Sequence, residues 1–214
     1  KYNNITTTSL TANVIQYADQ TSSLTIEIEN NYFNVIGGLS SFYAVQILGQ
    51  STPKVNNNYI YANTLFNGIN IASQSVKGAA QINYNTICLP LDGGHITLGS
   101  DANNTWDNGH NGSLITGNKL YGVWYYTPTA TVNLSHGIVV FNCIDTKIKY
   151  NYVNGANHLV VIKASDRTPA MVNTDCVVSY NIGINNDASL FPKTMSGIKF
   201  YNNTTYADNA NITA

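Results

Sequence analysis

Residues Val55–Ile60 read VNNNYI: an apolar residue, two of any kind, an asparagine, one of any kind, and a second apolar residue. The frame returns as IENNYF at Ile28–Phe33, INYNTI at Ile82–Ile87, ITGNKL at Ile115–Leu120 and IKYNYV at Ile148–Val153. Looser copies are VSYNIG at Val178–Gly183 and FYNNTT at Phe200–Thr205. The framed asparagine stands at Asn31, Asn58, Asn85, Asn118, Asn151, Asn181 and Asn203, in steps of 27, 27, 33, 33, 30 and 22 residues. A repeat every 20–50 residues or so is the signature of stacked units, each too small to bury its own apolar face. Chance in an Asn-rich chain would supply isolated copies, not a series at coil-like spacing with apolar residues on both sides.

The asparagine has a local reason. A tight turn between two strands needs a residue with φ > 0, and Asn tolerates this better than most non-glycine residues. Stacked strands lie about 4.8 Å apart, so the same side chain recurs above itself. An amide is donor and acceptor at once, so such a column bonds to itself. The ladder Asn is therefore expected to take the positive φ, and six intervals predict a stack of about 29 Å. A second strand follows each ladder Asn: AVQI (Ala44–Ile47), GINI (Gly68–Ile71), HITL (His95–Leu98), GIVV (Gly137–Val140) and HLVV (His158–Val161). Alternation predicts Val45, Ile69, Ile96, Ile138 and Leu159 inward, with Gln46, Asn70, Thr97, Val139 and Val160 on an outer column. That column turns from polar to apolar, which suits cover by a loop or another chain. The expected fold is all-β: a right-handed parallel β-helix of about seven coils with an asparagine ladder, one domain over 1–214, as a module of a longer polypeptide.

Composition agrees. Of 214 residues only 10% are charged, and the net charge is −1. Helical proteins cover their outer faces with Lys, Glu and Arg; here Asn, Thr, Ser, Gly and Tyr, which suit turns and strands, take that place. There is no basic run for nucleic acid and no apolar stretch near the roughly 20 residues needed to span a bilayer. Cys88, Cys143 and Cys176 lack metal-type spacing and read as buried free thiols. Sequons at Asn4, Asn103, Asn111, Asn133, Asn202, Asn203 and Asn211 are compatible with secretion.

The copies above, with VVSYNIGIN (Val177–Asn185) and GIKFYNNTTY (Gly197–Tyr206), resemble the right-handed parallel β-helix repeats of the pectate-lyase-like superfamily, over roughly Thr25 to Tyr206. That superfamily includes polysaccharide lyases, glycoside hydrolases, epimerases, phage tailspikes and adhesin stalks, and fold does not choose among them. The resemblance implies an extracellular or virion-borne, carbohydrate-interacting chain of the tailspike or fibre kind, often a homotrimer, which recognises and in some members cleaves surface polysaccharide. A non-catalytic stalk and a secreted lyase or hydrolase are the alternatives.

Chemistry is expected in loops carried on the rigid coils. The two 33-residue steps hold the excess length, in Cys88–Ser113 and Tyr121–Ser135, on successive coils that would set them side by side. Trp106, Asp107 and His110 lie in the first, Trp124, Tyr125 and Tyr126 in the second. Exposed rings there would wall a glycan groove; packed rings would only hold the loops down. Asp101–Gly112 fails the EF-hand template, which wants Gly at position 6 and Glu at 12. No cofactor is expected beyond a structural Ca²⁺ ion. Six positions before Asn151 and Asn181 stand Asp145 and Asp175. Stacked on adjacent coils they would approach the ~5–5.5 Å carboxyl separation of a retaining glycosidase; otherwise they are turn aspartates bonding their own backbone. His158, Lys163, Asp166 and Arg167 form a set suited to proton abstraction by a lyase, or else a solvated turn. His95 and His158 share the lead position of their strands. No nucleophile elbow, phosphate loop or zinc motif occurs.

Overall fold

The computed structural model describes residues 3–7, 13–19, 24–37, 43–49, 52–63, 67–72, 79–90, 94–99, 111–126, 136–142, 144–163, 173–185, 188–193 and 195–206. These residues form a parallel β-helix. Three sheets run along the stack, and every strand pairing in them is parallel. Sheet A has eight strands: Asn3–Thr7, Asn31–Val35, Tyr59–Ala62, Thr86–Cys88, Lys119–Tyr121, Tyr152–Asn154, Ile182–Ile184 and Thr204–Tyr206. Sheet B has seven: Ile15–Asp19, Tyr43–Gly49, Asn67–Ala72, Ile96–Leu98, His136–Phe141, His158–Lys163 and Ala188–Lys193. Sheet C also has seven: Thr25–Glu29, Thr52–Asn56, Gln81–Asn83, Leu114–Thr116, Lys147–Lys149, Val177–Ser179 and Lys199–Tyr201. The chain visits B, C and A in turn and then climbs one coil, with the right-handed sense that parallel crossovers take.

The inward positions are columns of Ile and Val. Ile28, Val55, Ile82, Ile115, Ile148 and Val178 stack in sheet C; Phe33, Ile60, Ile87, Leu120 and Val153 stack in sheet A. Nearly all are fully buried, and each such side chain stabilises by about 1.5–3 kcal/mol relative to exposure. Branched residues fit because each packs on its own kind one coil away.

The ladder forms, and it is longer than the repeat frame implied. The Asn58 Oδ1 accepts from both the backbone N–H of Asn31 (3.0 Å) and its Nδ2 (2.9 Å), and the same double bond runs from Asn58 to Asn85, then to Asn118, Asn151, Asn181 and Asn203. The second Nδ2 hydrogen goes to a carbonyl of the preceding coil, as from Asn118 to Ile82 at 2.8 Å. Asn3 adds an eighth rung, its Nδ2 donating to Asn31 Oδ1 at 2.9 Å. Its frame begins before residue 1, so the pattern could not find it.

Two expectations are corrected. The positive φ falls on the residue before each ladder Asn: Asn30, Asn57, Tyr84, Gly117, Tyr150, Tyr180 and Asn202. The ladder Asn opens the next strand or stands directly before it, with its side chain buried, so the bend from sheet C to sheet A must be made one residue earlier. The register of the sheet B strand His158–Lys163 also differs. Ile138 pairs with Val160 and Val139 with Val161, so Val160 faces inward and Val161 outward. A one-residue slip exchanges the two faces of a strand. Leu159 is nevertheless buried in the core. Val139 and Val161 are only 6% and 5% exposed in the single chain, so the apolar outer column is covered by the chain itself and needs no neighbour.

Candidate functional site

Outside the core, the sheet A face is aromatic. Its first outward column begins with Tyr32 and Tyr59, whose rings stack at 5.1 Å and 5°. The next column holds Tyr61, Cys88 and Tyr121. Tyr121 meets Tyr152 at 5.8 Å and Tyr125 at 5.0 Å, the latter from the single helical turn Val123–Tyr126. Coil spacing places these rings at contact distance, and each offers a flat apolar body with a polar hydroxyl edge. The Tyr59 hydroxyl lies 3.7 Å from Cys88 Sγ. Burial first, then the bond accepted from the Cys88 thiol, pushes its pKa up to about 12, so the phenol stays neutral.

At the N-terminal end this face borders an open cavity of about 310 Å³ lined by Asn3, Asn4, Asn30, Asn31, Tyr32, Asn57 and Tyr59. The lining holds no charged side chain. Two stacked rings form one wall, and Asn30 and Asn57, the turn residues of successive coils, add amides that both donate and accept. An apolar plane beside convergent neutral hydrogen-bonding groups is the surface that a sugar ring, with its C–H face and hydroxyl rim, fits.

The turn positions between sheets C and A continue as an exposed ridge. Tyr84, Tyr150 and Tyr180 are 63%, 61% and 43% exposed and all have φ of 57°. The Tyr150 and Tyr180 rings stack at 5.1 Å, and Tyr180 meets Tyr201 edge-on at 5.8 Å. On the intervening coil the turn residue is Gly117, where a Cβ would collide with the Tyr84 ring.

Asp145 and Asp175 do register on adjacent coils, through the bridge Ile144↔Thr174. Both are exposed and have positive φ, 49° and 55°, in a corner column shared with Gly112 and Gly197. The backbone N–H of Asp145 donates to Thr174 O and that of Asp175 to Ser196 O, and the Asp145 carboxylate lies 3.6 Å from Lys147 Nζ. Their backbone thus makes the turn into sheet C, with both residues at the surface. His158 and Lys163 are at opposite ends of one six-residue strand, about 16 Å apart along it, so the strand does not bring them together. Asp166 and Arg167, together with Trp106, Asp107 and His110, lie outside the described residues, as do the side chains of Trp124 and Tyr126. The first long segment, Cys88–Ser113, is divided by the sheet B strand Ile96–Leu98, so it has one part before that strand and one after it, while Tyr121–Ser135 lies before the sheet B strand His136–Phe141. Residues 91–93, 100–110 and 127–135 lie outside the described residues.

Three histidines meet at the corner from sheet A to sheet B. His95 is fully buried, with Nδ1 3.1 Å from His136 O and Nε2 2.9 Å from Tyr121 O. Burial lowers its pKa, and the two carbonyls oppose that shift. His158 pairs in register with His136, not with His95, and their Nδ1 atoms are 3.0 Å apart. Burial, then the neighbouring His158 and His95, push the His136 pKa down to about 4. At neutral pH the His136 ring is therefore uncharged. Cys88 and Cys176 are buried free thiols. Among the described residues no three His, Cys, Asp or Glu side chains group as metal ligands, and no helix is long and apolar enough to cross a membrane.

The tyrosine face and ridge escaped the search for loops with acid and base. Their signal was present: Tyr next to the ladder Asn on either side, as in NY at 31–32, 58–59 and 151–152 and YN at 84–85, 150–151 and 180–181.

No family model and no curated protein matches the sequence. Among solved structures, the A-module of the Azotobacter vinelandii mannuronan C-5 epimerase AlgE4 is similar to this chain, with 12% identity and a TM-score of 0.47. The match covers 92% of this chain and 58% of that one, so this chain spans less than two thirds of its length.

Proposed function

We propose that this β-helix binds polysaccharide on the tyrosine-bearing outer face of sheet A, as a recognition element of an extracellular or virion-borne fibre resembling a tailspike. The observation that carries the reading is the cavity of about 310 Å³ with the stacked Tyr32–Tyr59 wall and its asparagine amides. The tilted Tyr121–Tyr152 and Tyr121–Tyr125 ring contacts, at 5.8 and 5.0 Å, add aromatic surface further along the same sheet. A homotrimer is part of the proposal; light scattering on the purified chain reads it, and a monomer at all concentrations counts against it. A Ca²⁺ ion near residues 101–112 belongs to the same set, and an unchanged melting temperature on chelation removes it.

Binding without cleavage is favoured over a hydrolase, because the cavity lining presents tyrosine rings and asparagine amides and neither a carboxylate nor an imidazole. The test is a glycan array followed by titration of the best ligand. Tyr59→Ala should weaken binding about tenfold, the loss of one stacking plane at roughly 1.4 kcal/mol. Undiminished affinity in Tyr59→Ala and Tyr32→Ala together would defeat the assignment. Appearance of reducing ends, abolished in Asp145→Asn or Asp175→Asn, would make the chain a hydrolase instead.

A further inference from the structure

We propose that His136 and His158, the first residues of neighbouring strands in sheet B, together bind one divalent transition-metal ion that favours imidazole: Cu²⁺, Ni²⁺ or Zn²⁺. The site is separate from the tyrosine face and does not depend on the carbohydrate reading. The two histidines are 22 residues apart in the chain, so no local spacing marks them, and the register His136↔His158 brings them together. Their Nδ1 atoms are 3.0 Å apart, and the ring centroids 4.8 Å apart with planes tilted by 56°. Two nitrogens bound to one ion at about 2.0–2.1 Å stand about 2.9 Å apart in adjacent square-planar positions and about 3.3 Å apart in a tetrahedral site. The observed separation lies between these two geometries. The hydrogen bond also requires one Nδ1 to present its lone pair to the other, so one ring is already a neutral ligand. When the ion binds, the proton on the donor Nδ1 leaves to solvent and each Nδ1 lone pair forms a bond to the metal, with no change of oxidation state.

The rings stand on backbone that the stack holds in place. The His136 carbonyl accepts from the backbone N–H of His95 at 3.0 Å and lies 3.1 Å from its Nδ1, while His95 Nε2 is 2.9 Å from Tyr121 O. His95 is fully buried, so it supports the pair from behind, as the hydrogen-bonding partners around metal-bound histidines do. His136 and His158 are themselves half-buried, which leaves the other coordination positions of an ion to water. On the preceding coil Gly94 stands two residues before Ile96, as His136 stands two before Ile138, so that position brings no side chain. The two strands, HGIVVF and HLVVIK, carry no Asp or Glu. Ca²⁺ and Mg²⁺, which want oxygen ligands, therefore have no complement here.

The test titrates the intact chain with CuCl₂, NiCl₂ and ZnCl₂ by calorimetry. The wild type should take up one ion with Cu²⁺ the tightest, as expected for nitrogen ligands. His136→Gln and His158→Gln should each lose about tenfold or more in Cu²⁺ affinity, since removing a ligand costs at least as much as removing one of its outer partners. Bound ion should raise the melting temperature of the wild type and of neither variant. A measurement on the wild type keeps the proposal open to refutation if a variant folds poorly: the electron paramagnetic resonance spectrum of the Cu²⁺ form should show two imidazole nitrogens. A spectrum with one imidazole or none overturns the proposal. So does undiminished Cu²⁺ affinity in either variant, which would put the ion elsewhere, or a wild type that takes up none of the three ions. No sugar enters these measurements, so such a failure leaves the carbohydrate reading to its own glycan array.

Discussion

At the scale of single residues the inner ladder asparagines are bonded to the coil before and the coil after. Asn118 takes two bonds from Asn85 on its Oδ1, at 2.9 and 3.0 Å, and gives its Nδ2 to Asn151 and Ile82. Asn118→Ala strands the backbone N–H of Asn85 and one of its two Nδ2 hydrogens, the other staying on Val55 O. At about 1–3 kcal/mol for each unsatisfied buried donor, it should cost roughly 2–4 kcal/mol in urea denaturation. His136 gives a pH dependence with a definite sign. Its folded pKa of about 4 lies below the ordinary 6.5, so between those values the unfolded chain holds more protons. Stability present above pH 6.5 should fall as the pH drops towards 4. His136→Gln should flatten that slope, and an equally steep melting profile in the variant would contradict it.

At the scale of elements the closeness of the coils matters most. Gly122 sits where a Cβ would run into the carbonyl oxygen of Gly155 on the next coil. Backbone cannot yield as a flexible side-chain end can, so Gly122→Ala should destabilise by about 1–3 kcal/mol as an overpacking strain. A melting temperature equal to the wild type would show that the coils separate more easily than their packing suggests. How legible the elements were depended on their neighbours. Sheets A and C were readable because the ladder frame pins both strands to one asparagine. Sheet B has no such anchor, and aligning HLVV with GIVV by their first residues put the strand His158–Lys163 one residue out of register. The actual pairing sets His136 beside His158, a contact between coils that no local pattern records.

At the scale of the whole molecule the solenoid is a sum of neighbouring coils. Removing residues 58–84 joins Asn57 to Asn85 and leaves the frame as VNNNTI. Such a chain should still unfold cooperatively, with a lower midpoint and an m-value reduced in proportion to the surface lost. Loss of all cooperative structure would mean that the coils are not interchangeable.

By itself the sequence determined the coil, its inward Ile and Val columns and the asparagine ladder, because these repeat and the repeat distance is set by one turn of chain. It also placed Asp145 and Asp175 on adjacent coils by counting from the ladder. Only the tertiary structure decided which residue bends, which face each sheet B side chain takes, and that tyrosines 21 to 31 residues apart in the chain share one surface. Those are relations between coils. The chain specifies each coil locally, whereas the alignment of one coil on the next follows from packing and from hydrogen bonds that close only when the stack is complete.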